Sequence, residues 1–238
     1  MTAPVLSMQG VSKRFILHHQ SGVELSVLDN VDLQVHRGEC VVLDGSSGMG
    51  KSTLLKLAYA NYKASSGSIQ VLSSAGNLLE VTQANARELL QMRRETVGYV
   101  SQFLRVIPRV AALDVIATAL TDGEVATPEA VVEARAQAAV LLERLRIPKR
   151  LWSLPPATFS GGEQQRINIA RSLIKPRALL LMDEPTASLD VANTHTVVQL
   201  IQEAVARGSA VVGIFHDPEV GANVATRRID ISRFRSKP

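Results

Sequence analysis

Apolar and polar positions along the chain follow three patterns. Between residues 5 and 35 they alternate and break, so stretches 5–9, 11–17 and 27–35 read as antiparallel strands. His18-His19-Gln20-Ser21-Gly22 reads as a hairpin loop within that region, its two histidines solvated because no Cys or carboxylate cluster stands beside them. Short, mainly apolar runs make the second pattern, at 39–44, 97–100, 178–182 and 210–215, that at 178–182 being uninterrupted. Runs of that length suit strands covered on both faces, as in a parallel sheet. A turn at 65–68 and a further strand at 69–72 lie between the first two runs.

Helical spacing is the third pattern. Residues 52–58 follow the first apolar run, and 82–95 form a second helical stretch. Thr127-Pro128-Glu129 places a cap, a proline and a first-turn acid at one helix start. Val131, Ala134, Ala138, Leu141 and Leu145 then recur at helical intervals. Further helices open after Gly162, running to about Ile174, and after Asp190, running to about Arg207. Strands alternating with helices predict an α/β fold with a mainly parallel core sheet and an antiparallel N-terminal β subdomain. Residues 103–158, closed by Pro148 and Pro155-Pro156, read as an inserted α-helical subdomain. One domain over 1–238 results, its core built from 1–102 and 159–238.

Composition narrows the classes. A chain of 238 residues with 46% hydrophobic and 20% charged residues can bury a sizeable core. A net charge of +4 with 4% aromatics gives no footprint for nucleic acid, which is not expected as a partner. Cys40 is the only cysteine, so no internal disulfide forms, and its apolar strand predicts a buried, inert thiol. No apolar run approaches the roughly 18 residues of a membrane helix. The first residues lack the basic and long apolar segments of a signal peptide. The expectation is a cytoplasmic protein without direct membrane insertion, any span being supplied by another subunit.

The chemistry centres on Gly45-Ser46-Ser47-Gly48-Met49-Gly50-Lys51-Ser52, which fits G-x-x-x-x-G-K-[S/T] between a strand and a helix. Glycines let backbone N–H groups turn inward around phosphate oxygens, and the helix start adds its positive dipole end. Lys51 is placed to reach the β- and γ-phosphates, and the Ser52 hydroxyl to ligate Mg²⁺. Downstream, Gln102 ends a strand where it can reach a metal or a water. Asp183-Glu184 ends another, the first acid suited to Mg²⁺ and the second to a water. Ser160-Gly161-Gly162 exposes backbone donors at a helix start. His216 ends a third strand on the same edge, where it can contact a γ-phosphate. Phe15 is a candidate for stacking on adenine, although a lone Phe in a strand also reads as core.

This ordered set, with Ser188-Leu189-Asp190 after the paired acids, resembles the nucleotide-binding cassette of the ABC ATPases over essentially the whole chain. The resemblance implies a P-loop fold with ATP and Mg²⁺ as cofactors. It implies nucleotide contacts from Phe15, from Gly45 through Thr53, and from Ser160, Gly161, Gly162 and Asp190. Ser52, Gln102 and Asp183 would serve the metal, with Glu184, His216 and Gln102 in catalysis. Glu163 stands where the family's glutamine is commoner, and Phe159 where its leucine is. It also implies a second cassette as partner, either another copy or a related chain.

A closer resemblance rests on residues 101–110, Ser-Gln-Phe-Leu-Arg-Val-Ile-Pro-Arg-Val, and on 151–159, Leu-Trp-Ser-Leu-Pro-Pro-Ala-Thr-Phe. These look like the ABC-type L subunit of the bacterial carbon–phosphorus lyase system. That resemblance implies an ATPase working with the phosphonate-processing core subunits, where methylphosphonate is coupled to the ribose triphosphate unit of ATP. The alternative is the ATPase of a membrane transporter for lipoprotein release or small-molecule export. A kinase-like phosphotransferase would leave Ser160-Gly161-Gly162 and the helical insertion unexplained.

Overall fold

The computed structural model describes residues 3–17, 23–102, 109–121 and 126–235. In chain order these form β1 (Leu6–Leu17), β2 (Val23–Val35), β3 (Cys40–Asp44), α1 (Lys51–Ala58), β4 (Ser66–Leu72) and β5 (Leu78–Glu80). Then come α2 (Ala86–Gln91), β6 (Val97–Val100), α3 (Ala112–Thr121), α4 (Pro128–Arg144) and α5 (Gly161–Leu173). The chain continues through β7 (Leu179–Asp183), α6 (Val191–Ala206), β8 (Ala210–Ile214), α7 (Pro218–Val224) and β9 (Arg227–Asp230).

Two sheets result. β2-β1-β4-β5 is antiparallel, and β6-β7-β8-β3-β9 is parallel. The apolar runs become β3, β6, β7 and β8 because a parallel strand flanked by helices and a second sheet has two dry faces. Their side chains divide with period two. Val41, Leu43, Leu179, Leu181 and Val212 join a core shared with α1 and the antiparallel sheet. Cys40, Val42, Leu180, Met182 and Val211 enter a second core beneath α3, α4, α5 and α6. Burial pushes the Cys40 thiol up to about 12, so it stays protonated and unreactive. The α/β fold with a parallel core sheet and a separate antiparallel sheet is therefore as the residue pattern predicts.

Local details differ from the pattern. Segments 5–9 and 11–17 are one bent strand, because the backbone at Gly10 turns left-handed (φ 59°) and β1 shifts register there against both neighbours. Gly67 faces that bend and begins β4 rather than a separate turn. A Cβ on Gly67 would stand 2.4 Å from the Gly10 carbonyl oxygen, so the close approach requires glycine. The stretch at 82–95 is a shorter α2, with Asn85 and Glu88 as a reciprocal cap, followed by a π-helical turn over Met92–Thr96.

In α4, Thr127 Oγ1 accepts from the Ala130 N–H, and Ala134, Ala138 and Leu141 are buried with Leu145 beyond them. Val131 faces solvent, since the buried stripe starts a turn later. The pattern missed α3, β5, α7 and the edge strand β9. The loop at His18–Gly22, with its histidines, lies outside the described residues, as do 103–108 and 122–125 of the insertion.

Candidate functional site

The glycine-rich turn joins β3 to α1. Gly45, Gly48 and Gly50 have φ of 132°, 79° and 92°, values open to glycine without strain. Gly50 is the N-cap of α1 and has no side chain to close the helix start, so its first N–H groups remain for a ligand. Ser46, Ser47 and Gly48 are exposed, Met49 is half-buried, and Thr53 lies in the first turn of α1. Lys51 folds back, its ammonium donating to the carbonyls of Gly45 and, at 2.9 Å, Ser46.

At the carboxyl edge of β7 the groups interlock. Ser52 Oγ donates to Asp183 Oδ1 at 2.8 Å, and the Tyr99 hydroxyl donates to Asp183 Oδ2 at 3.1 Å. Asp183 is buried, so both carboxylate oxygens are held. Burial, and then the adjacent Asp183 charge, push the Tyr99 hydroxyl well above its usual range, keeping it a donor. Glu184 follows in the left-handed region (φ 52°), which costs a non-glycine residue about 1–3 kcal/mol. Its N–H still bonds the Ile214 carbonyl at 3.0 Å, so the strand pairing continues while the side chain is turned out. Gln102 Nε2 donates to Glu184 Oε2 at 3.4 Å.

Two residues not singled out in sequence hold this edge from α5. Asn168 Nδ2 donates to the Ser101 carbonyl at 2.8 Å. Gln165, 3% exposed, donates to the carbonyls of Ser101 (3.4 Å) and Pro185 (3.3 Å). They therefore brace the loops carrying Gln102 and Glu184. Polar residues three apart on the buried stripe of α5 were the available signal. Tyr99 had no comparable signal.

The remaining candidates lie apart from that interlock. Ser160 caps α5: its N–H and its hydroxyl both donate to Glu163 Oε2, at 2.9 and 2.7 Å, and its oxygen accepts from the Glu163 N–H at 3.4 Å. Gly161 has open space beside it, whereas a Cβ on Gly162 would stand 2.9 Å from the Ser188 carbonyl. That approach packs Ser160-Gly161-Gly162 against the 188–190 turn of the same chain. Asp190 caps α6 by accepting from the Asn193 N–H at 2.7 Å, and that bond holds its carboxyl below the usual range. Phe15 makes an edge contact with Tyr62 (centroids 5.3 Å) beneath the Lys13 ammonium. His216 is exposed and lines a groove of about 370 Å³ between α6 and α7 with His195 and Asp217. Among the described residues no hydrogen bond links Ser160, Phe15 or His216 to Asp183 or Glu184.

Comparison with known proteins agrees with this geometry. The sequence profile described as "ABC transporter" matches residues 28–187. The chain belongs to the ABC transporter family. It is 39% identical over 222 residues to the lipoprotein-releasing system ATP-binding protein LolD of Shewanella sp. (strain MR-7), covering 92% of this chain and 90% of LolD. It is 34% identical over 232 residues to the macrolide export ATP-binding/permease protein MacB of Burkholderia thailandensis, covering 98% of this chain and 33% of MacB. Among solved structures it superposes on dimeric MJ0796 bound to ADP and Pi with a TM-score of 0.83, at 27% identity and 95% coverage of each chain.

These relatives correct the finer expectation. They are named for lipoprotein release and export, and this overturns the expected carbon–phosphorus lyase role, with its core-subunit partners and its phosphonate chemistry. The resemblance at 101–110 and 151–159 misled because it rests on two short segments, while the similarity to the transport ATPases runs through the whole fold. No helix among the described residues is long and apolar enough to cross a membrane.

ATP with Mg²⁺ is the cofactor pair of this family, and the residues present fit it. Mg²⁺ takes hard oxygen donors and keeps phosphate and water ligands beside one or two side chains. The Ser52 hydroxyl and Asp183 carboxylate are a set of that kind. Left-handed glycines ahead of an uncapped helix leave the space and donors that a polyphosphate needs.

Proposed function

We propose that this chain is the Mg²⁺-dependent ATPase subunit of a membrane transporter, acting in lipoprotein release or small-molecule export at the cytoplasmic face beside a membrane-spanning partner. The observation that carries the reading is the pairing of Ser52 with Asp183 and of Gln102 with Glu184 along one sheet edge above the glycine-rich turn. The names and full-length coverage of the LolD relatives support the transport assignment. The division into a core (1–102 and 159–238) and a helical subdomain (103–158) belongs to the same proposal.

Each residue then has a task. The N–H groups of 45–53 and the Lys51 ammonium hold the phosphates, Lys51 exchanging the Gly45 and Ser46 carbonyls for phosphate oxygens. Ser52, Asp183 and Gln102 would hold Mg²⁺, which when bound would supply charge neutralisation for the phosphates. Phe15 stacks on adenine. Glu184 accepts a proton from the water that attacks the γ-phosphate, and Gln102 orients the Glu184 carboxylate. His216 and Asp190 face the γ-phosphate side once two cassettes meet. Ser160-Gly161-Gly162 serves the nucleotide of a second cassette. One chain thus carries two half-sites, and a head-to-tail pair completes both about a two-fold axis.

Glu184→Gln tests the reading. It preserves shape, so ATP binding should persist while hydrolysis falls at least about 10²-fold, the range for a lost base. ATP then accumulates unhydrolysed, and light scattering should show a dimer with Mg-ATP and a monomer with ADP, since a ligand bound by the dimer alone drives association. Normal turnover would overturn it, and a monomer at saturating ATP would overturn the pairing of two copies of this chain in favour of a related cassette.

A further inference from the structure

The start of α5 carries an acid whose contacts bear on assembly. Glu163 Oε2 accepts from the Ser160 N–H (2.9 Å) and the Ser160 hydroxyl (2.7 Å) at once. These are donors that a phosphate approaching the helix start would want, at the end where the helix dipole favours an anion. The carboxylate therefore occupies an anion's place with an anion. Bonds from the Ser160 hydroxyl and then its N–H hold the Glu163 carboxyl below the usual range, so it is charged at neutral pH. Glu163 is half-buried beside the exposed Ser160 and Gly161. Gly161 has no atom within 4 Å of its Cβ position, so the approach to this surface is open.

We propose that Glu163 is a positioning residue that acts as a brake on ATP-driven pairing of two cassettes. It reserves the Ser160 donors within its own chain and sets a negative charge against the partner's γ-phosphate. The inference rests on the reading that Ser160-Gly161-Gly162 meets the nucleotide of a second cassette. For that meeting the Ser160 hydroxyl must turn from Glu163 to the phosphate, and the carboxylate must swing away. The free energy gained on pairing is thereby reduced, because a contact within each chain has to break first. A neutral amide at 163 changes the balance in a defined way. Its oxygen can still accept from the Ser160 N–H, since Gln completes a capping box as Glu does. It carries no charge toward the phosphate, and its NH₂ group adds a donor.

The test compares Glu184→Gln with Glu184→Gln/Glu163→Gln and Glu184→Gln/Glu163→Ala, using Mg-ATP and light scattering across protein concentration and salt. The glutamine double variant should dimerise at least about tenfold more tightly, the scale of removing one like-charge contact near a surface. Its advantage should shrink as salt rises from 0.05 to 0.5 M, values set on the order of the screening range. The alanine variant, which loses the cap as well as the charge, should also gain affinity, and should lose the salt dependence to the same degree. Unchanged dimer affinity in both variants, with Glu184→Gln itself dimerising, would overturn the brake while leaving the ATPase reading intact. A Glu184→Gln protein that never dimerises would instead overturn the reading beneath it. A purely structural cap predicts a third pattern, a lower melting temperature for alanine with no tightening in either variant, and that too would overturn the proposal.

Discussion

The buried stripe of α5 and its first turn belong to differently built regions. Where its buried stripe meets the sheet edge, Gln165 and Asn168 hold the loop carbonyls while Ser52, Tyr99 and Asp183 share one buried carboxylate. At its first turn, Ser160 and Glu163 satisfy each other in solvent with residues three apart. The first region is assembled by the fold, because its groups come from four elements and are desolvated only when those elements pack. The second is assembled by the local sequence and stays available for exchange. In the proposed ATPase, the region assigned to metal and phosphate gains from donors fixed before the ligand arrives. The region proposed to meet another chain gains from contacts that are satisfied alone yet cheap to trade.

The sharpest way to break this contrast is to block the exchangeable region alone. Ser160→Arg should abolish the ATP-bound dimer and lower hydrolysis at least about 10²-fold, the scale of a lost donor to the transferring group. Calorimetry should find ATP affinity of the monomer within a few-fold of the parent. Full turnover by this variant would place the start of α5 outside the site. Lys51→Ala addresses the glycine-rich turn beside the interlocked region, where the proposal gives the ammonium charge-assisted bonds to phosphate. ATP affinity should weaken about 10- to 100-fold, as expected for losing one or two such bonds, and unchanged affinity would contradict the phosphate role.

Phe15→Ala should weaken ATP binding about five- to tenfold through lost stacking, with Phe15→Trp close to the parent. Equal affinity for all three proteins would assign Phe15 to its contact with Tyr62 instead. The smallest effect belongs to Tyr99→Phe, which removes the 3.1 Å bond to Asp183 but leaves the Ser52 bond. A loss of about 1 kcal/mol is expected for one such hydrogen bond, or a melting point lower by about 2–4 °C. ATP hydrolysis should change less than about threefold. A large catalytic loss would make Tyr99 part of the chemistry rather than a brace.

How much of this was readable depends on the distance over which each feature is decided. The glycine-rich turn, the cap at Thr127 and the apolar runs of β7 and β8 are set by adjacent residues, and they stood out in the sequence. The capping pair of Ser160 and Glu163 is equally local, three positions apart, although the two glycines between them carry the more conspicuous signal. The bend at Gly10 escaped because its reason sits on β4, where Gly67 presses against it. Val131 was misplaced because helical spacing defines a stripe but not where along the stripe the neighbouring helix begins to cover it. Edge strand β9 is mostly exposed and so lacks the apolar run that revealed the central strands. The narrower carbon–phosphorus lyase assignment failed for a related reason: short matching segments do not report which whole chains the protein is similar to.

By itself, then, the sequence determined the alternation of strands and helices, the residue types at each sheet edge and the glycine-rich turn of 45–53 ahead of a helix. Those follow from periods of two and 3.6 and from the conformational freedom of glycine, all of which act within a few residues. Tertiary structure alone decided that Ser52 meets Asp183 across 131 positions and that Gln102 meets Glu184 across 82. It also decided the strand order β6-β7-β8-β3-β9 that aligns those edges, and the facing of Tyr99 onto a buried carboxylate. Such contacts depend on which faces are buried together, and burial is a property of the packed chain rather than of any stretch within it.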